Sequence, residues 1–100
     1  MNIYILGVCG VFMGSLAILA RELGFHVSGA DENVYPPMSN QLKSAGIDID
    51  SEYSAKKMTD RKPDLVIIGN ALSRGNPCIE YILDNNILYQ SGPAWLNEFV

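Results

Sequence analysis

Three glycines, Gly7, Gly10 and Gly14, stand between an apolar run, Ile3-Tyr4-Ile5-Leu6, and an apolar-periodic segment from Met13 to Leu23. Glycine permits a turn sharp enough to carry a buried strand into a helix, and it lets a ligand approach the backbone closely. The first N–H groups of a helix have no intrahelical partners, and the macrodipole adds partial positive charge there. The chemistry on offer is therefore anion binding, of a phosphate above all. The spacing departs from the standard dinucleotide pattern. Aligned on Gly7, G-x-G-x-x-G asks for glycine where this chain has Cys9 and Phe12. A tight strand-to-helix turn that binds nothing fits the same residues.

Other candidates come from later in the chain. Asp31 follows Gly10 by about twenty positions, at the end of a second apolar stretch. An acidic residue there can accept hydrogen bonds from a ribose, or it can serve as a helix-capping or turn aspartate. The segment Asn70-Ala71-Leu72-Ser73-Arg74 offers an amide and one fixed cation. Arg74 can pair with a phosphate or can be an ordinary surface arginine. Cys9 and Cys78 fit no metal-ligand spacing and read as small buried hydrophobes, with Cys9 at the floor of the first loop. A disulfide is not expected in a domain that otherwise reads as intracellular. His26 is the single histidine and falls at the amino end of a strand, away from where ligands bind in open α/β sheets. No G-x-x-x-x-G-K-[ST] loop, triad or metal-type cluster is present, so the segment is expected to bind rather than to catalyse.

The elements that would position these residues alternate. Strand 1 is expected at residues 2–7, then a helix from Met13 to Leu23 closed by Gly24. A second strand runs from His26 to Ala30. Pro37 suits the first turn of a second helix, with Met38, Leu42 and Ala45 inward and Gly46 as its stop. Ile47-Asp48-Ile49 alternates like a short edge strand. Residues 50–63 are weakly patterned, with one helical turn near Ser54 to Met58 and basic residues forming a solvated face. Leu65-Val66-Ile67-Ile68 reads as a central strand buried on both faces. Asn76 caps a helix that Pro77 opens, with Ile79, Ile82 and Leu83 inward. A fifth strand covers Ile87 to Gln90, and Pro93 opens a helix carrying Trp95, Leu96 and Phe99. This order implies a three-layer, Rossmann-like α/β domain with a five-stranded parallel sheet ordered 3-2-1-4-5. The switch point then gathers Gly7 to Met13, Asp31 and Asn70 to Arg74 around one crevice.

Composition narrows the function. The chain has 100 residues, 48% of them hydrophobic, and a net charge of −4. That suits one folded domain with a real core. No basic block points to nucleic acid, so an anionic ligand must be held locally. No apolar run is long enough to span a membrane, and residues 1–20 do not read as a signal peptide.

Three strings carry a further signal, and the second and third are much more specific than the first, the glycine loop. They are Gly7-Val8-Cys9-Gly10-Val11-Phe12-Met13-Gly14, Asp31-Glu32-Asn33-Val34-Tyr35-Pro36-Pro37-Met38-Ser39, and Ile68-Gly69-Asn70-Ala71-Leu72-Ser73-Arg74-Gly75-Asn76-Pro77. Together with Ser91-Gly92-Pro93-Ala94-Trp95-Leu96 they make the chain resemble the Mur ligase family over essentially its whole length. The resemblance implies the amino-terminal domain, residues 1–100, of a longer cytoplasmic enzyme that holds the UDP part of UDP-N-acetylmuramate. It assigns the UDP moiety to Gly7, Cys9, Gly10, Val11, Phe12, Met13, Asp31, Asn33, Asn70, Ala71 and Arg74. It also implies ATP and magnesium in other domains. There the muramyl carboxylate would be phosphorylated and then attacked by a peptide amine. Cys9 and Phe12 stand where the L-alanine-adding branch shows a fuller glycine cluster. That favours the recycling branch, which attaches L-alanyl-γ-D-glutamyl-meso-diaminopimelate. A nicotinamide-binding Rossmann half and a ligand-sensing regulatory domain are the competing readings. Asp31 supports the nicotinamide reading, and Cys9 and Phe12 oppose it.

Overall fold

The computed structural model describes residues 1–69 and 75–99. Five strands alternate with five helices: β1 (Asn2–Leu6), α1 (Val11–Glu22), β2 (His26–Ala30), α2 (Met38–Ser44), β3 (Asp48–Asp50), α3 (Ala55–Asp60), β4 (Leu65–Ile68), α4 (Pro77–Asp84), β5 (Tyr89–Ser91) and α5 (Gly92–Phe99). The strands form one parallel sheet in the expected order, β3-β2-β1-β4-β5. Parallel strands need crossovers, and the helices that supply them cover both faces.

Alternation along β1 sorts the core into two clusters. Ile3 and Ile5 point to one side, where Leu16, Ala17 and Ala20 of α1, Leu42 of α2 and Trp95 of α5 close over them. Tyr4 and Leu6 point to the other, against Met58 of α3 and Cys78, Ile79 and Ile82 of α4. Strand β4 divides the same way, with Leu65 and Ile67 on the first side and Val66 on the second. The continuous apolar run of β4 thus reflects burial on both faces.

Element ends follow local chemistry. Helix α1 starts at Val11, two residues before the apolar stripe suggests, because extended Gly10 takes the cap position. Helix α2 starts at Met38, so Pro37 is its cap rather than its first residue. The Asn76 side chain caps α4 by accepting from Cys78 N–H at 3.0 Å, and Pro77 is the first residue of that helix. Gly24 and Gly46 end their helices with positive φ, as expected. Strand β5 lies slightly later than the periodicity suggests, at Tyr89–Ser91. Leu83 is partly exposed rather than inward.

The polar stretch 50–63 is more than a solvated face. Met58 is fully buried. Arg61 donates from Nε and Nη2 to the Asp50 carboxylate at 3.0 and 2.7 Å, and the Tyr4 hydroxyl donates to the same carboxylate at 2.7 Å. One buried methionine in so short a helix, with the arginine just past its end, creates no periodicity, so the pattern gave no warning.

The Arg61 hydrogen bonds hold the Asp50 carboxyl below its usual range, with Tyr4 adding to the effect and burial opposing it. Because the folded-state value is depressed, the stabilisation is complete above the ordinary carboxylate pKa of about 3.9. It is lost as pH falls through the folded-state value. Arg61→Met is therefore expected to cost about 1–3 kcal/mol at neutral pH, read from urea midpoints. The gap to the wild type should close on acidification below about pH 4. A gap that stays constant down that range would contradict the assignment.

Candidate functional site

The first loop is built by the end of β1. Gly7 takes φ +80°, which favours glycine, and the chain turns there. Gly7 N–H and Val8 N–H both donate to Ala30 O, at 2.8 and 3.3 Å, which pins the turn to the end of β2. Gly10 N–H closes the loop onto Gly7 O at 3.1 Å. The first bond of α1 is Gly14 N–H to Gly10 O at 2.7 Å. The N–H groups of Val11, Phe12 and Met13 precede it, and among the described residues no side chain caps them.

Among the described residues, space is available there. Among the described residues, a Cβ built on Gly10 would meet, beyond its chain neighbours, only Gly7 O at 3.4 Å. Phe12 does not fill this space. Its ring lies against the start of α5, where a Cβ on Gly92 would come within 2.8 Å of it. Met13 is buried at the same junction, while Val11 is exposed.

Asp31 is 7% exposed. Its Oδ2 accepts Cys9 N–H at 3.0 Å and its Oδ1 accepts Asn33 N–H at 2.9 Å. The carboxylate therefore joins the first loop to the loop after β2. Burial, with Asp31 adding, pushes the Cys9 thiol up, the opposite of an activated nucleophile. Cys78 is likewise buried and pushed up to about 11. The structure thus brings Gly7, Cys9, Gly10, Val11, Phe12, Met13, Asp31 and Asn33 to one end of the sheet, while Asn70, Ala71 and Arg74 lie outside the described residues. His26 is exposed at the amino end of β2, beside Arg61 and a separate pocket of about 280 Å³.

Sequence reasoning missed one part of the crevice. A pocket of about 460 Å³ opens among Glu32, Ser51, Glu52, Tyr53, Gly75, Asn76 and Pro77. These residues follow β2, follow β3 and lead into α4. Tyr53 packs against the second core cluster, and burial together with Asp31 and Glu32 pushes its phenol up to about 12. The available signal was topological: in a 3-2-1-4-5 sheet, the residues just after β3 must lie at the ligand end.

Among the described residues, no group of three or more His, Cys, Asp or Glu is placed to hold a metal ion. No described helix is long and apolar enough to cross a membrane.

An all-parallel sheet of this order, with an uncapped glycine-led helix start beside its switch point, defines a nucleotide-binding type of α/β domain. Residues 2–100 match the family described as "Mur ligase family, catalytic domain", and the chain belongs to the Mur ligase family, a family of ATP-dependent ligases. It is 58% identical over 100 residues to UDP-N-acetylmuramate–L-alanyl-γ-D-glutamyl-meso-2,6-diaminoheptandioate ligase of Escherichia coli K12, covering 100% of this chain and 22% of that enzyme. The crystal structure of a murein peptide ligase from Psychrobacter arcticus superimposes with a TM-score of 0.95 at 54% identity, covering 100% of this chain and 21% of that one. UDP-N-acetylmuramate–L-alanine ligase of Lactobacillus acidophilus is 33% identical over 99 residues, covering 99% of this chain and 22% of that enzyme. The chain spans about a fifth of the length of these relatives.

Proposed function

We propose that this chain is the domain that holds UDP-N-acetylmuramate in a cytoplasmic murein peptide ligase. That enzyme joins L-alanyl-γ-D-glutamyl-meso-diaminopimelate to the muramyl carboxylate in peptidoglycan recycling. The observation that carries the reading is the 58% identity, along the whole chain, to a ligase of that name. The lower identity, 33%, to an L-alanine-adding enzyme favours the peptide-adding branch.

The polarity of the crevice supports this ligand. The diphosphate lies on the Val11, Phe12 and Met13 N–H groups beside Gly10, where donors and dipole favour an anion. The nucleoside lies along the loop from Asp31 to Asn33 and toward the Tyr53 pocket. Glu32 and Glu52 line that pocket, which suits the neutral base end of a nucleotide and repels its charged end. Asn70, Ala71 and Arg74 are assigned to the same ligand. ATP and magnesium act from other domains of the enzyme and supply activation of the carboxylate. The residues of this chain bind and orient.

UDP-N-acetylmuramate is expected to bind residues 1–100 weakly, since they span about a fifth of the relatives' length and a second domain would contact its sugar and lactyl group. NADH is expected to bind at least about tenfold more weakly still, a difference near 1.4 kcal/mol. Side-by-side titrations check the ranking, and tighter binding of NADH would favour an oxidoreductase domain instead.

A further inference from the structure

The acidic residue at the end of the second strand is the one expected to reach a ribose, and its surroundings speak against that role. Asp31 is 7% exposed. Each carboxylate oxygen already accepts a backbone N–H, from Cys9 at 3.0 Å and from Asn33 at 2.9 Å. Its own N–H donates to Asp50 O at 3.1 Å, so the residue is fixed to β3 as well. A ribose ligand needs a carboxylate oxygen free in the crevice. Each oxygen of Asp31 keeps a second lone pair, but with 7% of the residue exposed little of it faces the crevice.

What those bonds accomplish is positional. Cys9 lies between the turn at Gly7 and the helix cap at Gly10. Fixing its N–H fixes the direction in which the next three N–H groups point. Asn33 lies in the loop that follows β2, so the same carboxylate holds the start of that loop to the first one. Charge-assisted bonds to backbone N–H groups are strong and directional, which suits such a clasp.

We propose that Asp31 is a positioning residue. It clasps the first and second βα loops together and thereby aims the diphosphate-binding amides, and it makes no bond to the nucleoside. The proposal rests on the diphosphate reading above, and the two can fail separately.

The test compares UDP with inorganic pyrophosphate, which has no ribose, on the wild type and on Asp31→Asn. An asparagine has one acceptor oxygen, so its amide group must face either the Cys9 or the Asn33 N–H, donor against donor. A positioning role expects both ligands to weaken by roughly tenfold and to the same extent. Weaker UDP with unchanged pyrophosphate would mean a ribose contact and overturn the proposal. Tighter binding of either ligand would mean that Asp31 acts only as a nearby like charge, and would overturn it too. Failure of the wild type to bind either ligand would remove the diphosphate reading and the clasp's purpose with it. A second measurement needs no variant. Amide hydrogen exchange at Cys9 and Asn33 should stay slow when the wild type is saturated with UDP. Faster exchange at Cys9 on saturation would show the carboxylate leaving the loop for the ligand, against the proposal.

Discussion

Gly10→Asp is expected to leave the fold intact while lowering affinity for UDP-N-acetylmuramate by about 100-fold or more. Gly10 has φ −67° and ψ 152°, an extended conformation open to any residue, and it occupies the cap position of α1. An aspartate there is a good helix cap, better than glycine by a few tenths of a kcal/mol. It gains that by accepting the N–H groups of the first turn, which are the donors assigned to the diphosphate. It also places a negative charge where the ligand carries its own. Two like charges about 4 Å apart at an effective dielectric near 20 repel by roughly 4 kcal/mol, so the affinity loss exceeds the effect of losing the donors alone. Gly10→Asn separates the two causes, because it captures the donors without adding charge, and it should fall between wild type and Asp. Binding titrations alongside thermal melts check both halves. A variant that is as stable as expected and still binds at wild-type strength would remove the glycine loop from the site.

The second large effect concerns stability. Trp95 is fully buried, and its ring meets Phe25 edge-on at 6.1 Å with an interplanar angle of 71°. It joins α5 to the cluster formed by α1, β1 and β4. Trp95→Ala is expected to cost about 3–5 kcal/mol. For a domain of this size that is a fall in Tm on the order of 15 °C or more. Trp95→Phe keeps a ring against Phe25 and should recover over half of the loss. If α5 were a loosely attached tail, the alanine variant would melt within a degree or two of wild type, and thermal denaturation settles which is true.

Much of this architecture was legible in the residues. The apolar runs of β1 and β4 and the glycines that end α1 and α2 each mark an element by a simple rule, and the strand–helix alternation they define orders the sheet correctly. The glycine loop was legible too, although its spacing is irregular, because a strand running through glycine into a helix has one mechanical outcome. Asp31 was found by its distance from Gly10, but its hydrogen bonds were not. No pattern in one chain shows whether a carboxylate faces a ligand or the next loop. The Tyr53 pocket and the Arg61 clasp on Asp50 were illegible for a different reason. Helix α3 has only six residues, Ala55–Asp60, and buries one of them, so the stretch looks like solvated surface until β3 is placed beside β2.

Family membership rests on the length and identity of the match. The site assignment rests on the uncapped amides at the start of α1. The measurement that tests that assignment most directly is a two-dimensional 1H–15N NMR titration of this chain with UDP-N-acetylmuramate. The account expects the largest shifts at the Gly10, Val11, Phe12 and Met13 amides, with smaller ones at Asn33 and Tyr53. Shifts confined to the opposite end of the sheet, at His26, Ser28 and Arg61, with the glycine loop unmoved, would contradict it.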